Sequence, residues 1–301
     1  MALIEDTYAE ASDGLYCRLL ITADDEKILK RAAEDATATP SGVIGRLDNG
    51  IEKFVGREKT PDRRKGAILQ FWKGLEKGRT TEEMVNKLEK ELSYRIRQDI
   101  LVKRFTSVFD ALPVKAEGKF DIMERVGHCG DDYELEQKRY DRDMIVVPIM
   151  VPNFEIERYV GYAHGISGGN LYIMCQSKKA IEEVEKKALE AIHKVEGVIT
   201  PFGVCSAGSK TETKFPLIGP TTNHPYCPSL KKKLGDKSKV PKGVKYIPEI
   251  VINGTSMHAV KEAMKVGIEA TLNIGGVTRI SAGNYGGKFG QYKIYLRELL
   301  S

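Results

Sequence analysis

Glu249 opens the run EIVING, with Pro248 before it and Ile250 after it. A carboxyl group at an apolar strand start is partly stripped of water, which favours its protonated form. A neutral carboxylic acid can donate a proton or a hydrogen bond to an oxygen that gains charge during a reaction. From local sequence alone, a solvated strand-end carboxylate is the simpler account of Glu249. The octet GNYGGKFG, Gly283–Gly290, is the second group with chemical potential. Its glycines leave backbone bare for close approach of a ligand, and Lys288 adds a positive charge. A Walker loop requires Ser or Thr after Gly-Lys to ligate magnesium, but Phe289 follows Lys288. No stretch spells G-x-G-x-x-G. The octet therefore reads as a loop for a flat or anionic ligand and not as a nucleotide cradle.

Other chemistries lack their residues. The five histidines (128, 164, 193, 224 and 258) make no H-E-x-x-H, and no Cys/His group has structural-zinc spacing. His224-x-x-Cys227 and His128-Cys129 supply ligand pairs only if distant loops meet, so no metal site is expected. No G-x-S-x-G is present, and Ser206 and Ser209 have no histidine beside them. A covalent acyl-enzyme is not indicated.

Helices and strands must hold these groups. Apolar residues recur at helical spacing in 24–38, 80–98, 178–195 and 256–272, the second after a Thr80-x-x-Glu83 capping box. Strand-like runs flank each helix: LYCRLLIT and SGVIG, GAILQFW and ILVKRF, NLYIMCQ and GVITPF, EIVING and GVTRIS. A last strand, GQYKIYL, closes the chain. The order is βαβ–βαβ in 15–105 and again in 170–281. Two successive βαβ units make a ferredoxin-like α+β lobe, an antiparallel sheet with helices on one face. The expectation is two such lobes, 1–146 and 147–301. Residues 106–169 would join the repeats, and 203–245, rich in Gly, Pro, Ser and Lys, would be a long insertion in the second lobe. ISGGN (166–170) and ISAGN (280–284) share four of five positions and read as tight turns or binding loops.

Composition sets the class. Of 301 residues, 41% are hydrophobic and 30% charged, the balance of an ordinary folded protein. No apolar run reaches the roughly 18 residues of a membrane span. The start, MALIEDTYAEA, carries acids where an export signal would carry lysines, and the five cysteines contain no C-x-x-C. A cytoplasmic protein with reduced thiols is expected. The net charge of +5 suits small anionic ligands better than nucleic acid. The densest basic stretch, Lys231–Lys233 with Lys237, Lys239 and Lys242, reads as a solvated loop.

Several segments together resemble the formylmethanofuran–tetrahydromethanopterin formyltransferase family. They are IEDTYAEA near the start, GGNLYIM (168–174), TTNHPYCP (221–228), EIVING, VKEAMKVGIEA (260–270) and ISAGNYGGKFGQYKIYL. The likeness runs nearly end to end. It implies transfer of a formyl group from methanofuran to N5 of tetrahydromethanopterin, with both carriers as co-substrates and no prosthetic group or metal. It further implies a homotetramer with neither nucleic acid nor membrane as partner. Glu249 matches a family glutamate that is buried, protonated and close to the formyl group. Substrate contacts implied by the resemblance fall on Ser206, Ser209, Lys210, Thr222, Asn223, Asn284, Gly286, Gly287, Lys288 and Gln291. The competing reading is a non-enzymatic ligand-binding or regulatory protein on the same lobes, because fold alone does not fix function. A nucleic-acid binder ranks last, for want of a basic-aromatic stripe.

Overall fold

The computed structural model describes residues 1–42, 46–76, 78–210 and 212–300. The chain opens with β1 (Leu3–Ile4) and β2 (Tyr8–Ala23), then α1 (Glu26–Ala36), β3 (Asp48–Val55), β4 (Lys65–Gly74), α2 (Thr81–Arg95) and β5 (Thr106–Asp110). Next come β6 (Gly118–Asp121), β7 (Leu135–Arg139), β8 (Arg142–Pro148), β9 (Asn153–Glu157) and β10 (Tyr159–Cys175). After α3 (Lys178–Ile192) and β11 (Val198–Ile199) follow the short α4 (Lys231–Leu234), β12 (Glu249–Gly254), α5 (Met257–Thr271), β13 (Val277–Ser281) and β14 (Tyr292–Tyr295). Two compact units result: residues 14–164, and residues 1–13 with 165–301. The division expected at 146/147 falls inside β8, whereas the compact units change over within β2 and β10.

In the unit 14–164, the strand order β3-β4-β2-β5 with every pair antiparallel is that of a split βαβ lobe. Helix α1 starts where the Asp25 carboxylate accepts from the Lys27 and Ile28 amides, and it buries Leu29, Ala32, Ala33 and Ala36. The Thr80–Glu83 capping box forms as its spacing predicts, and α2 buries Met84, Leu88 and Leu92. The helix then passes into a π-helical turn, Ile96–Leu101, so ILVKRF is not the expected strand. Ile96 and Ile100 lie four residues apart and are both fully buried. Each gains roughly 1.5–3 kcal/mol from that burial, which favours continued helix over a strand start.

The strand expected at SGVIG lies largely outside the described residues (Val43, Ile44 and Gly45). The observed strand is β3, further on, where Asn49 and Glu52 are the buried residues. An apolar scan passes over such a strand. Residues 106–169 are also more than a joiner: β7, β8 and β9 extend the sheet beyond β5. Met144–Val147 of β8 are buried in succession.

In the other unit, β13-β10-β12-β11 are paired antiparallel in the same split βαβ order. Leu171, Ile173, Ile250 and Ile252 face α3 and α5 and pack on Val184, Ala188, Met264 and Ile268. Strand alternation then sends Asn170, Tyr172, Met174 and Glu249 to the opposite face. That face is roofed by the inserted segment: Val240 and Val244 pack on Met174, with Tyr226 and Ile247 beside them. ISGGN is not a turn. It lies within β10, where the register with β12 shifts between Ile166 and Gly169. Among the described residues, no helix is long and apolar enough to cross a membrane.

Candidate functional site

The insertion and the helix-free face of β10 and β12 enclose a pocket of about 340 Å³. Glu249 lies in its wall and is only 5% exposed. Strand β12 begins at this residue because its backbone exchanges two hydrogen bonds with Cys205, Glu249 N to Cys205 O at 2.8 Å and Cys205 N to Glu249 O at 2.7 Å. The Asn170 amide donates to Glu249 Oε1 at 2.8 Å. Burial pushes the Glu249 carboxyl up from its ordinary value, and the hydrogen bonds from Asn170 and the Cys205 thiol offset only part of that rise. Among the described residues it has no ionic partner. It is a carboxyl group whose burial favours the protonated form, set in the wall of a pocket.

Tyr172 is paired with Glu249 across β10 and β12 and lines the same pocket. Burial holds its phenol far above the ordinary tyrosine range, with the Glu249 charge adding to the effect. Asn223 Nδ2 donates to the Tyr172 hydroxyl at 3.2 Å. The Tyr172 hydroxyl is also hydrogen-bonded to that of Tyr285, whose own proton goes to the Ser209 carbonyl at 2.8 Å. Burial raises Tyr285 to about 12. Both phenols therefore stay protonated across the usual working range and act as hydrogen-bond groups, not as anions. Gly208 has a φ of +60° and leaves open the space over the acid. A Cβ there would lie 3.9 Å from Glu249 Oε2 and 3.2 Å from Asn223 Cβ.

Of the residues expected at the site, Glu249, Ser206 and Asn223 line the pocket. Ser209 borders it through the carbonyl that Tyr285 bonds. Lys210 instead stitches its own loop, pairing its amide with the Thr221 carbonyl at 3.1 Å and its ammonium with the Glu212 carbonyl. Thr222 is exposed beside Asn223.

Asn284, Gly286, Gly287 and Lys288 lie on the octet loop and Gln291 just beyond it, and there the expected backbone contact to a ligand needs correction. The amides of Tyr285 and Gly287 donate to Glu10 Oε1 at 2.6 and 2.7 Å, and those of Phe289 and Gly290 to Oε2 at 2.8 and 3.0 Å. The loop does hold an anion, but the anion is the protein's own. Gly286 and Gly287, at φ +71° and +75°, give the curl that turns these amides inward. Asn284 caps the curl through the Gly286 amide at 2.8 Å. Lys288 and Gln291 are exposed, and the Lys288 ammonium has no ion-pair partner among the described residues.

Sequence reading passed over Glu10, Asn170, Tyr172 and Tyr285. Asn170 and Tyr172 alternate with Leu171 and Ile173, so a polar face on a strand otherwise buried was the available signal. Glu10, between Ala9 and Ala11 in a strand, was another. Among the described residues, neither His224 with Cys227 nor His128 with Cys129, the two pairs weighed from the sequence, comes together as a group with metal-ligand geometry. Among the described residues, the group that comes together is His128, Asp132 and Glu134, in the other unit. There Glu134 already holds His128 Nδ1, at 2.6 Å.

Comparison with known proteins gives a consistent result. Residues 1–149 match the family profile described as formylmethanofuran-tetrahydromethanopterin formyltransferase, and residues 152–299 match one described as FTR, proximal lobe. The chain is 53% identical to a formylmethanofuran–tetrahydromethanopterin formyltransferase-like protein of Methanothermobacter thermautotrophicus, over 99% of this chain and 98% of that one. It is 40% identical to the formylmethanofuran–tetrahydromethanopterin formyltransferase of Archaeoglobus fulgidus, over 98% and 97%. The solved formylmethanofuran:tetrahydromethanopterin formyltransferase of Methanosarcina barkeri superposes with a TM-score of 0.89 at 37% identity, covering 99% of this chain and 98% of that one.

Proposed function

The chain belongs to the formylmethanofuran–tetrahydromethanopterin formyltransferase family, and from that premise we propose that its formyl transfer takes place in the pocket walled by Glu249 and Tyr172. It is an acyltransferase that moves a formyl group between formylmethanofuran and tetrahydromethanopterin. The observation that carries the assignment of the site is Glu249, a carboxyl group buried at a pocket wall and pushed by that burial toward its neutral form.

In the mechanism we infer, N5 of the pterin attacks the formamide carbon and a new C–N bond forms. The carbonyl oxygen gains negative charge as it does so. The protonated Glu249 carboxyl stabilises that oxygen with a hydrogen bond, which a carboxylate would not do. The tetrahedral adduct collapses, the C–N bond to methanofuran breaks, and the proton shed by N5 ends on the leaving amine. Glu249 starts and finishes protonated. No enzyme nucleophile is needed, and alignment of the two carriers supplies much of the acceleration. Asn170 holds the Glu249 carboxyl in place, while Tyr172 and Asn223 supply further donors along the pocket. Ser206, Ser209, Lys210, Thr222 and Asn223 from the insertion, with Lys288 of the octet and Gln291 just after it, are proposed contacts of the two carriers, whereas the amides of Gly286 and Gly287 are already taken by Asn284 and Glu10.

We further infer a homotetramer in the cytoplasm with no resident metal or prosthetic group. Light scattering at micromolar concentration tests the first part. A fully active monomer would contradict it. The activity itself is tested by following pterin absorbance with formylmethanofuran and tetrahydromethanopterin in the presence of a chelator. Turnover that persists under chelation is expected, while loss on chelation and recovery with zinc would contradict the metal-free reading.

A further inference from the structure

Glu10 is 2% exposed, yet no cation pairs with it among the described residues. Its whole charge is met by four amides of one loop, two on each oxygen. Burial alone would raise its carboxyl, but the amides of Gly290, Gly287, Phe289 and Tyr285 together hold it below the ordinary range. The loop is clasped to β2 in other ways as well. Gly290 passes so close that a Cβ there would lie 2.6 Å from Ala11 N, and β14 pairs Lys293 with Glu10.

Two contacts carry this clasp into the reaction pocket. Tyr285 gives its amide to Glu10 and its hydroxyl to Ser209, and that hydroxyl also meets Tyr172. Gly283, at the other end of the loop, gives its amide at 2.8 Å to the Asn170 side chain that also holds Glu249. A loop that curls around an internal anion cannot serve a substrate anion with the same amides. It can fix a side chain.

We propose that Glu10 is a positioning residue for the formyl-transfer pocket: its carboxylate permanently fills the anion nest of residues 285–290 and thereby sets the Tyr285 hydroxyl against Tyr172 and Ser209. The kinetic part of this proposal rests on the formyl-transfer reading, whereas the clasp itself does not.

Glu10→Ala empties the nest, and acetate is the probe that fits it. Hydrogen exchange should find the amides of 285, 287, 289 and 290 protected in the parent and fast in Glu10→Ala. The variant's kcat should fall by on the order of tenfold, with KM for both carriers little changed. Added acetate should restore both protection and kcat. Tyr285→Phe should share the loss of kcat, keep the loop protected and ignore acetate. Glu10→Ala and Tyr285→Phe together should cost little more than either alone, because they remove one interaction chain. Parental kcat in Glu10→Ala would overturn the proposal, as would acetate that restores protection without restoring kcat. If Glu10→Ala fails to fold, Tyr285→Phe decides alone, and parental kcat there overturns the proposal. Should the parent lack formyl transfer altogether, the functional reading fails, and acetate-dependent protection of the loop still tests the clasp.

Discussion

Tyr172 stands directly opposite Glu249 in the β10–β12 pairing, so both side chains leave the sheet on the face away from α3 and α5. Two groups that both resist ionisation thus share one pocket wall, and charge on Glu249 would raise Tyr172 further.

Glu249 carries a stability signature. Its folded pKa lies above the ordinary value of 4.5, so between those two values the unfolded chain loses this proton while the folded chain keeps it. The associated stability is complete below the ordinary value and declines as pH rises toward the folded pKa, by at most about 1.4 kcal/mol per pH unit. Glu249→Gln removes the titration. Urea midpoints of the parent should therefore fall relative to the variant as pH climbs above 4.5, and parallel midpoints would contradict the raised pKa.

Asn170 serves two partners, Glu249 Oε1 and the Gly283 amide. Asn170→Ala leaves both groups unpaired in the interior, where an unmet polar group costs about 1–3 kcal/mol. Reduced urea stability should come together with reduced kcat. A variant that loses stability but keeps parental kcat would relieve Asn170 of any part in holding the acid.

Gly208 sits at φ +60° over the acid. Gly208→Ala should cost roughly 1–2 kcal/mol for the left-handed backbone. Its methyl group would also crowd the space above Glu249 Oε2, so kcat/KM should drop by about tenfold or more. Unchanged kcat/KM would mean that the formyl group does not sit there.

Much of the fold was legible because the sequence repeats one pattern twice. Four amphipathic helices, each flanked by short apolar runs, specify two split βαβ lobes without residue identity between them. What escaped notice lacked apolar periodicity. In β3 the buried residues are Asn49 and Glu52, and the aliphatic start of ILVKRF, Ile100–Leu101, closes a helix and does not open a strand. The site divides the same way. Glu249 was visible as an acid at an apolar strand start. Asn170 and Tyr172 become functional only through a cross-strand register that no local pattern reveals. The octet was visible as an anion loop, but its anion, Glu10, lies some 275 residues away in sequence.

With its amides committed to Glu10, the octet retains one group for a carrier, the exposed ammonium of Lys288. Lys288→Ala should raise KM for one carrier several-fold with kcat little changed, the mark of lost uniform binding. Salt should imitate part of that effect in the parent and less of it in the variant, since screening acts on the charge removed. Unchanged KM for both carriers would reduce the octet to a clasp.

The central claim is that a neutral, buried Glu249 stabilises the oxyanion of formyl transfer. The most direct measurement compares kcat for the parent and Glu249→Gln with saturating formylmethanofuran and tetrahydromethanopterin. One electrostatic donor of this kind is typically worth ~10²–10³ in kcat, and the amide keeps the volume but is a much weaker donor to a developing oxyanion than a carboxylic acid. The account predicts a fall of that order with KM values little changed. A variant that turns over like the parent would contradict it and leave Glu249 a carboxyl group at the start of a strand.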